Sequence, residues 1–299
     1  MNKQFGNKKA DEFRYLGVDI GGSHITAAEV FPENQEINTE SKVRMRVDSQ
    51  GIAESILNTW TAAISTLLTD SDHSKFRIGI AMPGPFDYVN GISKIRDLHK
   101  YDALYGLDIR KELSERLAVR PENIIFRNDA EAFLQGELVF NGIQSSRNVI
   151  GVTLGTGLGS AKSIKGEVKD VSRAFQKWGE GIAEDYISTR WFLKRYEELA
   201  GAKISNVEAL VREGTEELKD KIFAEFADNL GRFLNQFAQE EDADFIVIGG
   251  NIAKTRAQFI ACTKNKITKP GVQVLQTTLW EDAALIGAAC SFMENKIHH

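Results

Sequence analysis

Cysteines and long apolar runs are both scarce in this 299-residue chain. Cys262 and Cys290 are its only cysteines, and they stand far apart without a CxxC spacing. A disulfide framework or a thiolate metal site needs more cysteines than these two. We therefore expect both cysteines to serve as small apolar side chains, in a protein of a reducing compartment. No stretch approaches the roughly 20 apolar residues of a membrane span, and the polar segment 1–11 lacks the apolar core of a signal peptide. The sequence predicts a cytoplasmic protein with no membrane partner.

An excess of basic residues is also missing. The chain has 37 Lys and Arg against 42 Asp and Glu, a formal net charge of −5. Nucleic-acid-binding proteins usually show a clustered basic excess, so we expect no nucleic-acid partner. Hydrophobic residues at 42% and charged residues at 26% are ordinary for a globular protein. The chain is longer than most domains with a single hydrophobic core, which favours two domains.

Two segments share one layout: a short apolar strand, a glycine-rich turn and a second strand. Because a second strand follows the glycines, the pattern predicts β-hairpins. It argues against a Rossmann or Walker A loop, since a helix begins directly after the glycines in both. The first hairpin is predicted over Tyr15–Ile20 and Ile25–Phe31, the second over Asn148–Leu154 and Ser160–Ile164.

Helical patterns fill most of the remaining chain. Strand pairs followed by crossover helices, repeated twice, predict an α/β fold with two similar halves. Helices are expected over 51–68, 109–117, 129–139, 184–198, 216–238 and 281–293, and strands over 76–82, 124–126 and 245–248.

The turns of both hairpins carry residues that suit phosphate. Glycines at a tight turn let backbone N–H groups face outward with no Cβ in the way, and Asp19 at the end of a strand can hold hydrated Mg²⁺ beside a phosphate. A plain turn with a solvated Asp19 is the alternative, and one turn alone leaves both open. Two such turns in one chain favour phosphate binding. Their residues are Gly21, Gly22 and Ser23 in the first, and Gly155, Thr156 and Gly157 in the second.

Asn128 and Asp129 stand between a predicted strand and a predicted helix. A carboxylate there can accept a hydroxyl proton during phosphoryl transfer. Helix capping explains the same pair, and the two roles are compatible. The segment Gly249-Gly250-Asn251 also follows a buried strand. It lets a flat ring approach the backbone, although a simple strand-to-helix turn is the safer interpretation.

Together these motifs resemble those of the ROK sugar kinases, from about Tyr15 to Met293. The resemblance implies a two-domain, ribonuclease H-like (actin/hexokinase-type) α/β fold with an interdomain cleft that holds ATP and a hexose. It places the N-terminal domain at 1–128 plus 282–299 and the C-terminal domain at 129–281, and it implies a homodimer. The matching motifs are Asp19-Ile-Gly-Gly-Ser-His24, Ala81-Met-Pro-Gly-Pro85, Asn128-Asp129-Ala130, Leu154-Gly-Thr-Gly-Leu-Gly159 and Ile248-Gly-Gly-Asn251.

The resemblance also implies a role for each motif. Asp129 becomes the general base, Asn128 a sugar ligand, and Glu184, expected to open a helix, a second sugar ligand. Asp19 holds Mg²⁺ through water. Phosphates of ATP are bound by Gly21, Gly22, Ser23, Gly155, Thr156 and Gly157, and adenosine lies against Gly249, Gly250 and Asn251.

The chain departs from the family between 164 and 178. The sugar loop with its His and the cysteine-rich zinc motif are both missing, so we predict no zinc. Glu167 and Glu180 are candidates for the Glu of that loop. Asp97 stands where a sugar-contacting Asn is expected, and His24 where Lys or Asn is common.

The expected function is ATP-dependent phosphorylation of a hexose or N-acetylhexosamine hydroxyl. A non-catalytic sugar sensor of the same fold and a polyphosphate-dependent glucokinase are the alternatives. About fourteen polar residues precede the first strand, too few for the helix-turn-helix of the ROK repressors.

Overall fold

The computed structural model describes residues 13–294, and over these residues the chain divides into two compact units. The first unit runs to Arg127 and resumes at Ala288; the second spans Asn128–Gly287. No helix in the range 13–294 is both long and apolar enough to span a membrane.

The first unit is built on one mixed sheet. Its strands follow the order β3-β2-β1-β5-β8, with β4 also paired to β2. Leu16, Val18 and Ile20 are fully buried and pack in one core with Trp60. The strands are β1 Arg14–Ile20, β2 His24–Phe31, β3 Glu36–Ile37, β4 Val43–Arg46, β5 Phe76–Met82, β6 Phe86–Asp87, β7 Ile92–Ser93 and β8 Ile124–Asn128, and the helices are α1 Ala53–Ser65 and α2 Ile109–Leu117.

The second unit repeats this plan with a larger helical layer. Its main sheet has the order β11-β10-β9-β14-β15. A row of buried phenylalanines, Phe226, Phe233 and Phe237, lies along its longest helix, α6. The elements are α3 Asp129–Phe140, β9 Val149–Leu154, β10 Leu158–Ile164, β11 Glu167–Asp170, β12 Lys177–Trp178, β13 Gly181–Ile182, α4 Thr189–Ala200, α5 Val207–Glu213, α6 Glu216–Glu240, β14 Phe245–Gly249, α7 Ile260–Asn265, β15 Gln273–Gln276 and α8 Asp282–Glu294.

Both sheets have the same central arrangement. Strand β1 pairs antiparallel with β2 and parallel with β5, and β9 pairs antiparallel with β10 and parallel with β14. Strands bordered on both sides and covered by helices read as continuous apolar runs, which is how β1 and β9 appear in the sequence. The two predicted hairpins and the α/β class are confirmed.

Helices α3 and α8 cross at very short range. A Cβ at Gly136 would overlap the backbone carbonyl of Ala283, and a Cβ at Gly287 would overlap the carbonyl of Ala132. Only glycine lets the two helix backbones approach this closely. The crossing fixes the helix that begins at Asp129 against a second helix.

The predicted helix over 184–198 begins later than expected. A short 3-10 turn occupies Ala183–Asp185, and the helix starts at Thr189 because the Ser188 side chain caps it by accepting from the N–H of Trp191 at 3.4 Å. Glu184 therefore does not open a helix. The sequence pattern also missed several short elements, among them β4, β11, β15, α5 and α7.

Candidate functional site

The first glycine turn joins β1 to β2. Asp19 lies one residue before the end of β1, opposite Thr26 of β2 and beside Ala81 of β5. The N–H of Gly21 donates to the carbonyl of His24 at 2.9 Å and closes the turn. A Cβ at Gly22 would meet no atom of the described chain within 4 Å, and Gly22 has no positive φ. The fold itself therefore does not require glycine at Gly22, which faces open space.

The polar residues of this turn contact each other. The Ser23 hydroxyl lies 2.9 Å from Nδ1 of His24, and the carbonyl of Ser23 accepts from the N–H of Val47 at 2.8 Å. His24 therefore has a local partner within its own turn.

The second glycine turn joins β9 to β10. The N–H of Gly155 donates to the carbonyl of Gly157 at 3.0 Å, and the carbonyl of Gly155 accepts from the N–H of Thr189 at 2.8 Å. A Cβ at Gly155 would meet nothing of the described chain within 4 Å, whereas one at Gly157 would overlap the carboxylate of Glu184. The two glycines thus differ: Gly155 faces open space, and Gly157 faces a side chain.

Glu184 is held by two partners. Its Oε2 accepts from the N–H of Leu158 at 2.9 Å, and its Oε1 pairs with the guanidinium of Arg190. The Glu184 side chain is 18% exposed and that of Arg190 is 64% exposed. The carboxylate is therefore fixed against the second turn while Arg190 remains accessible to solvent.

Asn128 and Asp129 begin helix α3. The Asn128 side-chain oxygen accepts from the N–H groups of Ala130 and Glu131, at 2.8 and 3.3 Å, so Asn128 is the N-cap. Asp129 is the first helical residue, and its Oδ1 also accepts from Ala130, at 2.9 Å. Glu131 anchors the helix by accepting from the N–H of Asp170 at 2.7 Å. Capping is therefore confirmed for this segment.

The helix start lies beside the second turn. A Cβ at Gly159 would lie 3.1 Å from the Cβ of Ala130, the residue that follows Asp129. Together with the contact between Gly157 and Glu184, this brings Asp129, the second turn and Glu184 into one neighbourhood of the second unit.

Gly249 and Gly250 each have a packing role. A Cβ at Gly249 would overlap the ring of Phe133, and one at Gly250 would overlap the backbone of Leu154. Gly250 also has φ +86°, a region that side chains rarely adopt. The contact with Leu154 places this segment next to the second turn, and Asn251 then begins a 3-10 segment, Asn251–Gln258.

Three further candidates that the sequence predicted to contact the sugar have exposed side chains. Glu167 of β11 is opposite Ile164 of β10. Ile164 is five residues along β10 from Gly159, a distance of roughly 16 Å. The exposed side chain of Glu167 pairs with Lys169 at 2.7 Å. Glu180 lies in the exposed turn between β12 and β13. Asp97, in the first unit, is 88% exposed and pairs with Arg96 at 3.4 Å.

Sequence reasoning missed two residues that contact the predicted site. Arg190 pairs with Glu184, and the Tyr101 hydroxyl donates to the carbonyl of Gly21 at 2.5 Å. An aromatic residue inside a largely polar segment was the one signal that the sequence offered for Tyr101. Arg190 has no signal beyond its position near Glu184.

A wide cavity of about 950 Å³ opens beside Arg190. Acidic, basic and aromatic side chains line it, among them Glu225, Tyr186 and Trp191. Across residues 13–294, no group of three or more His, Cys, Asp or Glu is arranged to hold a metal ion. The absence of zinc stays a prediction.

Comparison with known proteins gives a consistent family assignment. The profile of the ROK family matches residues 15–170, just over half of the chain. The N-acetyl-D-glucosamine kinase of Photobacterium profundum is 22% identical over 266 residues, covering 80% of this chain and 84% of that protein. The glucokinase of Streptomyces coelicolor is 31% identical over 156 residues, covering 52% of this chain but only 44% of that protein.

Among solved structures, a ROK family glucokinase from Streptomyces griseus, in complex with glucose and AMPPNP, superposes with a TM-score of 0.74. The match covers 92% of this chain and 98% of that one, at 22% identity. The likeness at this identity shows a shared fold.

Proposed function

Because the chain belongs to the ROK family and shares the two-domain, actin/hexokinase-type fold of its sugar kinases, we propose that it is an ATP-dependent sugar kinase. It phosphorylates a hydroxyl of a hexose or an N-acetylhexosamine, as the names of its relatives suggest. One observation carries the proposal: the helix that begins at Asp129 packs, through Ala130, on Gly159 at the start of β10, two residues after the second glycine turn. A carboxylate and a phosphate-binding turn are thus neighbours.

Asp129 acts as the general base in this proposal. Its carboxylate accepts the proton of the acceptor hydroxyl as the oxygen attacks the γ-phosphate. The position suits the task because the unpaired N–H groups at the start of α3 favour the charged carboxylate that a general base needs. Oδ1 is already fixed by the N–H of Ala130 at 2.9 Å, which orients the carboxylate.

Asn128 and Glu184 hold the acceptor sugar. The Asn128 carbonyl oxygen is engaged in the cap, so its NH₂ group is the part suited to donate to a sugar oxygen. The Glu184 carboxylate is fixed by Leu158 and Arg190, and such an oriented carboxylate accepts hydrogen bonds from sugar hydroxyls. Positioning of this kind supplies much of the rate in phosphoryl transfer.

The glycine turns bind the donor phosphates. Gly22 and Gly155 face open space. The N–H groups of Gly21 and Gly155 bond within their own turns, so we assign the phosphate oxygens to the other backbone N–H groups of the two turns. In this proposal Ser23 and Thr156 also contact the phosphates of ATP. Its adenosine lies against Gly249, Gly250 and Asn251. Glu167 is not part of the proposed site. Glu180, which lines the same cavity as Arg190, and Asp97 remain sugar-contacting candidates.

Asp19 fits a Mg²⁺ ion that arrives with the donor. Mg²⁺ in phosphoryl-transfer sites is usually held by one or two carboxylates, with phosphates and water as the other ligands. Asp19 offers one carboxylate next to the open side of the first turn. Bound Mg²⁺ neutralises charge on the phosphates. The homodimer and the cytoplasmic location stay predictions.

The test is a coupled ADP-release assay with Mg-ATP across a panel of hexoses and N-acetylhexosamines. Asp129→Asn should lower kcat by roughly 10²- to 10⁴-fold while the KM for ATP stays within twofold. Glu167→Gln is the matched control, because it removes an exposed carboxylate distant from the site, and it should retain full activity. Near-normal turnover of Asp129→Asn would overturn the assignment of the base. No turnover by the wild-type protein with any sugar, despite sugar binding in a thermal-shift assay, would instead support the sensor alternative.

A further inference from the structure

Tyr101 has a backbone conformation that is unusual for a large side chain. Its φ and ψ are 57° and 17°, in the left-handed region. Bulky residues rarely adopt this conformation, and it persists where surrounding contacts hold it, often at functional sites. Contacts with the surrounding residues must therefore stabilise this backbone conformation of Tyr101.

A backbone hydrogen bond and a ring contact hold Tyr101 in place. Its N–H donates to the carbonyl of Ser49 at 2.6 Å, and its fully buried ring lies edge-on to Trp60 of α1, with ring centroids 5.2 Å apart. The loop before it is also well ordered by hydrogen bonds. The Asp102 carboxylate accepts from the N–H groups of Leu98 and His99, both at 3.1 Å. Packing and hydrogen bonds thus fix the position of Tyr101.

The hydroxyl of Tyr101 reaches the first glycine turn, 80 residues away in sequence. It donates to the carbonyl of Gly21 at 2.5 Å. Burial raises the pKa of the Tyr101 hydroxyl well above its usual range, and the nearby charge of Asp19 also raises it. The hydroxyl therefore stays protonated and remains a donor over the whole physiological pH range.

The hydrogen bond has a defined effect on the next peptide group. In a trans peptide the C=O and the following N–H point in opposite directions. A Gly21 carbonyl held inward by Tyr101 therefore turns the N–H of Gly22 outward, and Gly22 is the residue whose Cβ position is open to solvent. The hydrogen bond from Gly21 to His24 closes the turn, but the peptide between two glycines has no Cβ on either side to restrict its orientation.

We infer that Tyr101 is a positioning residue that fixes the first glycine turn in the orientation needed to bind a donor phosphate. The inference rests on the proposed function, since it assumes that this turn binds phosphate. Tyr101 itself does not touch the nucleotide; it acts through the Gly21–Gly22 peptide.

The experiment compares Tyr101→Phe with Tyr105→Phe. The first substitution removes the hydroxyl and keeps the ring. The second removes a hydroxyl from an exposed tyrosine of the same loop and serves as the matched control. AMPPNP affinity is measured by titration calorimetry with Mg²⁺, the KM values for ATP and sugar by the coupled assay, and the melting temperature without ligand.

Tyr101→Phe should weaken AMPPNP binding and raise the KM for ATP by roughly three- to tenfold, the effect of one lost hydrogen bond. The KM for sugar should stay within twofold, and Tyr105→Phe should match the wild-type protein throughout. Wild-type AMPPNP affinity in Tyr101→Phe would overturn the inference, even if its melting temperature falls, because the hydroxyl would then be structural only.

The same titration separates this inference from the proposed function. If the wild-type protein binds AMPPNP but phosphorylates no sugar, the kinase proposal fails while the calorimetric comparison still decides the role of Tyr101. If the wild-type protein does not bind AMPPNP at all, both proposals are overturned.

Discussion

The carboxylate of Glu184 lies against Gly157, where any Cβ would overlap it. The same carboxylate accepts from the N–H of Leu158 at 2.9 Å. A proposed sugar ligand and a proposed phosphate-binding turn therefore share one contact. Glycine is needed at Gly157 because of that side chain, whereas Gly155 faces open space.

Gly157→Ala should displace Glu184 rather than unfold the protein, because the overlapping atoms are the end of a flexible side chain. We expect the KM for the sugar to rise roughly tenfold or more, since a hydrogen bond to a charged group is lost. Steady-state kinetics with sugar and ATP varied separately would measure it. An unchanged KM for sugar would argue against Glu184 as a sugar ligand.

Gly22→Ala and Gly155→Ala should have the complementary effect. Neither new Cβ meets another atom, so the free energy of unfolding should change by at most about 0.5 kcal/mol. The KM for ATP should rise, because the methyl group occupies the space proposed for phosphate.

Gly250→Ala is the contrasting variant. Its positive φ and its contact with the Leu154 backbone should lower stability by about 1–3 kcal/mol. Urea denaturation would measure the free energy of unfolding of all three variants, and steady-state kinetics their KM for ATP. Together they distinguish the destabilised Gly250→Ala from Gly22→Ala and Gly155→Ala. If Gly22→Ala and Gly155→Ala also keep a normal KM for ATP, the phosphate role of the turns is wrong.

Asn128 allows capping and sugar binding to be measured separately. Asn128→Ser keeps an N-cap oxygen, while Asn128→Ala removes it and should cost about 1 kcal/mol of stability. Both variants lose the NH₂ group, so both should raise the KM for sugar to a similar extent. A normal KM for sugar in Asn128→Ser would show that Asn128 serves only as a cap.

The buried carboxyl of Glu137 should make stability depend on pH. Burial raises its pKa, although the Thr277 hydroxyl and the Asn141 amide are hydrogen-bonded to it. The unfolded chain therefore loses this proton at lower pH than the folded protein does. The contribution of Glu137 to stability is largest below the unfolded pKa and falls as pH rises toward the folded pKa.

Glu137→Gln does not titrate, so the free energy of unfolding of the wild-type protein minus that of the variant should decrease from about pH 4 to pH 7. Urea denaturation of both proteins at several pH values would measure the difference. A difference that increases with pH would contradict the raised pKa.

The features that could be predicted from sequence are the local ones. Glycine turns between apolar runs gave both hairpins, and Asn128 before Asp129 gave the start of α3. Glu184 was wrongly expected to open a helix, because nothing in the sequence distinguishes Ser188, which caps the helix, from the other serines. Tyr101 was missed since its partner, Gly21, is 80 residues away. Glu167 was a candidate by its position in the chain, and only the register of β10 with β11 separates it from the site.

The close crossing of α3 and α8 has a consequence for protein engineering. Replacing a helical glycine by alanine commonly stabilises a protein by about 0.4–1 kcal/mol, because the unfolded chain loses flexibility. At Gly136 and Gly287 the added methyl would instead run into the carbonyl oxygen of the facing helix. Consensus or library methods that enrich alanine in helices should leave these two positions fixed, since a gain in helix propensity there would dislodge the segment that carries Asp129.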